Sequence, residues 1–177
     1  MTNSFGASGR FPTDVFADAI AGNASFVESF VGTTLGGRAA KGLALVTCMD
    51  SRIEPLPLLG MGVGDVKILR NAGARVTDDV LRTLVLATYL LGVDRVLVMP
   101  HTDCKMASTT EANIHKTIFD DYGVDTRSEE FRTVEDQEVA LVYDVTRIRA
   151  FPLLPENLTV AGAIYDVMSG AILPRDI

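Results

Sequence analysis

The chain has 177 residues, a formal net charge of −7 and 47% hydrophobic residues, with a sequence pI near 4.8 and a mean hydropathy of +0.24. That length suits one domain, since a domain of roughly 150 residues buries about 70% of the surface its unfolded chain exposes. The 16 scattered Lys and Arg argue against a nucleic-acid partner or an anionic membrane surface, both of which need clustered positive charge, and no run approaches the roughly 18 apolar residues of a membrane span, so the surplus apolar surface points to a subunit interface.

The first residues, MTNSFGASGRF, carry neither a charged start nor a continuous apolar stretch, so no signal or transit peptide is expected and a cytoplasmic location follows by default. Over residues 13–31, Val15, Phe16, Ala19 and Ile20, then Phe26, Val27, Phe30 and Val31, recur at helical spacing. They predict an arm of one or two amphipathic helices that packs either on the chain's own sheet or across a dimer partner. The Gly-rich stretch GTTLGGRAAKG at 32–42 separates this arm from the main body.

Residues 43–47 (LALVT), 65–69 (DVKIL) and 95–99 (RVLVM) are short apolar runs of the kind buried on both faces of a parallel sheet, each followed by polar punctuation. Between the second and third, TDDVLRTLVLATYLLG predicts a helix that Thr77 caps, that Asp78 and Asp79 favour at its positive end, and that Gly92 terminates. TTEANIHKTIFDDYG predicts another. Val139, Val142, Val145 and Ile148 form an i, i+3 stripe for a further helix, with Glu135, Asp136 and Glu138 at its start and Arg147 and Arg149 at its end suiting the macrodipole. LTVAGAIYDV, SG and AIL then read as a strand, a tight turn and a short antiparallel edge strand. The expected fold is α/β: a mainly parallel four-stranded sheet with a short antiparallel edge strand, flanked by helices, in a single domain.

Both cysteines and one of the two histidines fall in short polar segments directly after strand-like runs. A disulfide is disfavoured in a cytoplasmic protein, which leaves inert core thiols, metal ligands or nucleophiles. In open parallel sheets, ligands bind beyond the carboxyl ends of strands where the strand order reverses, commonly between the first and third strands. The first run leads into Cys48, Asp50 and Arg52, the third into His101, Thr102, Asp103 and Cys104. Alternation along an extended CMDSR would aim Cys48, Asp50 and Arg52 to one side and Met49 and Ser51 away. Two residues between His101 and Cys104 let both reach one ion, and thiolate sulfur with imidazole nitrogen is a donor set that zinc prefers. Taken singly, neither half is specific: structural packing is the commoner reading of each, and a surface ion pair or a helix-start cap the commoner one of Asp50 with Arg52.

CMDSR at 48–52, RNAG at 70–73 and HTDC at 101–104, in that order, closely resemble the β-class carbonic anhydrases, in their short bacterial and archaeal form. The resemblance runs from about residue 13 to 173 and includes the TDDV helix start and the AGAIYDVMSGAIL ending. It implies that Cys48, His101 and Cys104 bind zinc, that Asp50 and Arg52 form the catalytic dyad, and that Asn71, Ala72 and Gly73 border the substrate cleft. It further implies a homodimer or dimer of dimers in which the N-terminal helix embraces the partner, and a closed state in which Asp50 leaves Arg52 to become the fourth zinc ligand. Lys105 stands where the family commonly has glycine, a departure that bears on the geometry of the turn.

The resemblance implies reversible hydration of carbon dioxide to bicarbonate and a proton. Hydrolysis of carbonyl sulfide or carbon disulfide on the same zinc site is the nearest alternative, and a zinc-binding protein without turnover is another. Thiol redox chemistry is disfavoured because Cys48 and Cys104 form no CxxC pair. His115, inside a predicted helix, is expected to be a solvated surface residue more than a proton shuttle, and Arg70 and Asn71 either close a turn or touch substrate.

Overall fold

A computed structural model describes residues 11–31 and 34–177. The first ten residues, and Gly32 and Thr33 of the Gly-rich stretch, lie outside the described residues. The chain divides into two compact units, Met1–Leu35 and Gly36–Ile177. In the first, the expected arm is one helix, α1 (Ala17–Ser29), with none of its residues buried. Phe26 and Phe30 lie one turn apart with ring centroids at 5.3 Å, the i, i+4 spacing that places two side chains on one helix face.

The second unit is built on a five-stranded sheet in the order β2-β1-β3-β4-β5. Its strands are β1 (Leu43–Cys48), β2 (Val66–Asn71), β3 (Arg95–Met99), β4 (Thr159–Tyr165) and β5 (Ile172–Arg175). The first four run parallel and β5 pairs antiparallel with β4, as the sequence pattern predicts. β1 is buried at every residue, which accounts for its unbroken apolar run. Because the chain adds β2 on one side of β1 and then β3 on the other, the strand order reverses between β1 and β3. The register there sets Thr47 against Met99, and the buried Thr47 hydroxyl donates to the Met99 carbonyl at 2.8 Å.

α3 (Asp78–Leu90) begins at Thr77, whose hydroxyl accepts from the Val80 amide. It contributes Val80, Leu81, Leu84 and Ala87 to the core that Ala44, Val46, Val96 and Val98 of the sheet also form. α4 (Glu111–Tyr122) starts at a Thr110 cap and ends on Gly123 in the left-handed conformation. The short α2 (Pro55–Leu58) follows the Asp50 turn.

α5 (Gln137–Arg149) corrects the expected stripe, because Leu141, Asp144, Val145 and Ile148 are buried while Val139 and Val142 are exposed. An i, i+3 series precesses by about 60° per step on a 3.6-residue helix, so only its last two members stay on the face that Leu141 and Asp144 define. Asp136 serves as a true cap, accepting from the Glu138 and Val139 amides. Arg147 and Arg149 reach beyond the helix to the carbonyls of Val76, Val160 and Ile177.

Candidate metal centre

Cys48 closes β1, and His101 and Cys104 follow β3, so the strand reversal brings the two sequence halves together. One ligand atom from each of the three residues lies within 4.8 Å of the others, and all three residues are buried. The two sulfurs are 4.0 Å apart. His101 Nδ1 lies 2.8 Å from the Thr102 carbonyl, which acts only as an acceptor; this assigns the proton to Nδ1 and leaves the lone pair on Nε2. Among the described residues, Nε2 of His101 is the one buried side-chain polar atom with no hydrogen-bond partner. A buried imidazole lone pair facing two thiols, with its other nitrogen tied to a carbonyl, is what a zinc ligand requires, so the residues present fit the metal.

The thiols share protons unequally. Cys48 is held below the ordinary thiol range, chiefly because Cys104 donates to its sulfur, with His101 and the Gly73 amide adding to the effect against burial. Cys104 is raised by the same hydrogen bond and by burial. His101 is raised, first by its contact with Cys48 and against desolvation. A metal would replace these shared protons, since both thiols bind metal as thiolates.

CMDSR does not continue as an extended strand, which corrects the expected alternation. After Cys48 the chain turns, with Ile53 N donating to the Asp50 carbonyl and Arg52 N donating to Asp50 Oδ1 at 2.9 Å. This Asx-type turn folds Arg52 back onto Asp50. The guanidinium then grips both carboxylate oxygens, Nε to Oδ1 at 2.9 Å and Nη2 to Oδ2 at 2.8 Å. That fork, followed by the Arg52 amide, holds the Asp50 carboxyl well below the usual carboxylate range. Asp50 Oδ2 lies 3.8 Å from the unpartnered His101 Nε2, so the turn still delivers the carboxylate to the cluster.

The RNAG segment forms the adjoining wall. Asn71 closes its own turn, Nδ2 donating to the Arg75 carbonyl at 2.6 Å and Oδ1 accepting from the Arg75 amide at 2.8 Å. Gly73 sits at φ 77° and its amide points at Cys48 Sγ at 3.4 Å. Arg70 donates to the carbonyls of Cys48 and Asp50 at 2.9 and 2.6 Å. Ile53, Ala74 and Met106 are buried with the thiols, with Ala72 and Phe131 packed against them.

Lys105 fits without strain, because the left-handed residue in this turn is Asp103, at φ 54°. His115 Nδ1 lies 2.9 Å from the Thr126 hydroxyl and its ring packs on Phe131 at 5.3 Å. Two residues with contacts to the centre were assigned no role from sequence. Gln137 donates to the His101 carbonyl at 2.6 Å, and Asp103 binds Arg52. The available signal was a carboxylate set between two candidate ligands in HTDC.

A mainly parallel α/β sheet with two thiols and an imidazole at its point of strand reversal presents a donor set that could hold a metal ion and that suits zinc. A family model described as carbonic anhydrase matches residues 43–172. β-Carbonic anhydrase 1 of Mycobacterium tuberculosis is 34% identical over 158 residues, covering 88% of this chain and 94% of that protein. The crystal structure of carbonic anhydrase from Streptococcus mutans matches with a TM-score of 0.87 and 37% identity, covering 91% of this chain and 97% of that one. The chain belongs to the β-carbonic anhydrase family. It is also 31% identical over 150 residues to the carbon disulfide hydrolase of Saccharolobus solfataricus, covering 71% of this chain and 72% of that protein.

Proposed function

We propose that the protein is a zinc enzyme that reversibly hydrates carbon dioxide to bicarbonate and a proton, with Cys48, His101 and Cys104 as ligands. The observation that carries this reading is the buried, unpartnered His101 Nε2 facing two thiols with the Asp50 carboxylate 3.8 Å away. When bound, zinc supplies the Lewis acidity that makes water nucleophilic near neutral pH. Asp50, kept ionised by Arg52, accepts a hydrogen bond from the attacking water and thereby aims its lone pair at the carbon. Arg52 keeps Asp50 in that rotamer through the two-point fork. Asn71, Ala72 and Gly73 border the cleft, and the apolar surroundings of Ile53, Ala74 and Met106 suit a linear, uncharged substrate.

The same groups allow a closed state in which Asp50 leaves Arg52 for the metal. X-ray absorption at about pH 6.5 and 8.5, chosen to bracket the ionisation of zinc-type water, tests it; an unchanged ligand set removes that state.

Likeness to a carbon disulfide hydrolase favours one competing reading, hydrolysis of carbon disulfide or carbonyl sulfide at the same centre. Metal analysis with stopped-flow carbon dioxide hydration and sulfide-release assays on one preparation separates the two. Less than about half an equivalent of zinc per chain, against the single site that three ligands define, sinks both.

We further infer a homodimer, or a dimer of such dimers, in which α1 packs on the partner: Phe16, Ile20, Phe26, Val27 and Phe30 are exposed. Light scattering on the full chain and on a variant lacking residues 1–31 checks it; an unchanged mass overturns it. A cytoplasmic location agrees with two free thiols, which a reducing compartment preserves, and cell fractionation tests it.

A further inference from the structure

Arg52 makes contacts of two kinds. Those to Asp50, from its amide, Nε and Nη2, stay within one turn of the chain. They fix the two residues against each other but not against His101 and Cys104. The other contacts cross to the second half of the site, where Nη1 donates to Asp103 Oδ2 at 2.7 Å and Nη2 donates to the Asp103 carbonyl at 3.0 Å.

We propose that Asp103 is the positioning residue that registers the Asp50–Arg52 pair against the metal ligands on either side of it. The inference rests on the role of that pair given above. Asp103 lies two residues after His101 and immediately before Cys104, so its carboxylate and carbonyl tie the guanidinium to the loop that carries both ligands. Arg70 fixes only the main chain of the opposite loop, through the Cys48 and Asp50 carbonyls. The direction of the Asp50 side chain depends on Arg52, whose planar, rigid guanidinium holds Asp50 through Nε and Nη2 and Asp103 through Nη1, so that a change at one contact is passed to the other.

The backbone explains why the residue is aspartate. At φ 54° position 103 lies in the left-handed region, which favours glycine and tolerates asparagine and aspartate. Glycine would satisfy the turn and keep the carbonyl contact, but only a side chain with an oxygen acceptor adds the grip on Nη1. The ion pair is open to water, with side chains 45% and 76% exposed, and such pairs contribute little to folding stability. Its consequence is therefore expected in the site and not in the fold.

Three variants of the zinc-loaded protein separate these contributions. Asp103→Gly keeps the turn and loses the carboxylate; it is expected to retain a full equivalent of zinc and to lower kcat about five- to tenfold with KM unchanged, the range of one hydrogen bond of ordinary strength, as suits a pair open to water. Asp103→Asn restores a neutral acceptor on a compatible backbone and is expected to recover most of that loss. Asp103→Ala, which strains the turn as well, is expected to be the most impaired. A readout independent of turnover is the Nη1–H resonance of Arg52, the group that donates to the Asp103 carboxylate, protected from solvent exchange in the parent and in Asp103→Asn but fast-exchanging in Asp103→Gly.

Parent-like kcat and exchange in Asp103→Gly would overturn the proposal. So would an Asn variant as impaired as the Gly variant, which would make charge and not positioning the cause, or zinc loss in Asp103→Gly, which would make the role structural. Full turnover in Asp50→Ala would instead remove the underlying reading of the pair, while the Arg52 resonance would still report whether Asp103 holds the guanidinium.

Discussion

Asp144 of α5 and Arg75 form an ion pair behind the RNAG turn, Nε to Oδ2 at 2.7 Å, with side chains only 4% and 11% exposed. The second oxygen of Asp144 accepts from the Val76 amide at 3.1 Å, and the Arg75 backbone is the segment that Asn71 clasps. The turn whose Gly73 amide faces Cys48 is thus held from the helix side and from the site side together. Removing one partner of a buried pair costs about 3–5 kcal/mol, because the other is left uncompensated. Asp144→Ala is expected to lower unfolding stability by about that amount, measured by urea denaturation at neutral pH. A loss under about 1 kcal/mol, the value of an exposed pair, would show that the turn stands without it.

The proposed division of labour, with Cys48, His101 and Cys104 as ligands and Asp50 with Arg52 as dyad, separates in two further variants. Cys104→Ser weakens a soft ligand and is expected to lose metal first, with activity falling in proportion to zinc content. Asp50→Ala leaves all three ligand atoms in place and is expected to keep zinc while losing most turnover, on the order of 10²-fold or more if the carboxylate orients the attacking water. Zinc content by plasma emission spectrometry, measured on the same samples as stopped-flow rates, checks both. Full activity in Asp50→Ala refutes the orienting role.

The parts of this architecture written in local patterns are legible in the sequence. Continuous apolar runs give β1 and β3, and Thr77 with two aspartates gives the start of α3; topology alone then predicts that Cys48, His101 and Cys104 meet. The failures have a common cause, which is that periodicity was extended beyond the element that justified it. Alternation ends with β1, so Asp50 and Arg52 are joined by an Asx turn and not by a shared strand face. The valine stripe of α5 drifts off the buried face within three steps. Asp103, Gln137 and Asp144 escaped notice because their contacts span 51, 36 and 69 positions, and no local rule pairs residues so far apart.

The Arg52 fork depresses the Asp50 carboxyl, and the sign of the pH dependence follows. A carboxylate whose folded pKa is lowered adds stability that is present above its unfolded value, about 3.9, and is lost as pH falls through the lower folded one. The dyad is therefore expected to stay ionised across the neutral and mildly acidic range. A carbon-13 titration of the Asp50 carboxyl in the metal-free protein should show no inflection between about pH 3.5 and 8, the span from the ordinary carboxylate value upward. An inflection near the ordinary value would mean that the fork does not persist in solution.

Gly73 is the position where a single methyl group should disturb the centre most directly. Its φ of 77° is one that side-chain-bearing residues rarely adopt, and a Cβ there would come within 3.2 Å of both Cβ and Cγ of Met106. Met106 is itself buried beside Cys104, so it has little room to give way near its backbone. Backbone strain of this kind costs on the order of 1–3 kcal/mol, and for a chain of this size each kcal/mol lowers Tm by about 2–4 °C. Gly73→Ala is expected to lower Tm accordingly and, because the Gly73 amide faces Cys48 Sγ at 3.4 Å, to weaken zinc retention as well. Differential scanning calorimetry and competition with a chromogenic chelator measure the two effects. Unchanged Tm with parent-like zinc retention would show that the turn and Met106 relax together at no cost, and would remove Gly73 from the groups that shape the metal centre.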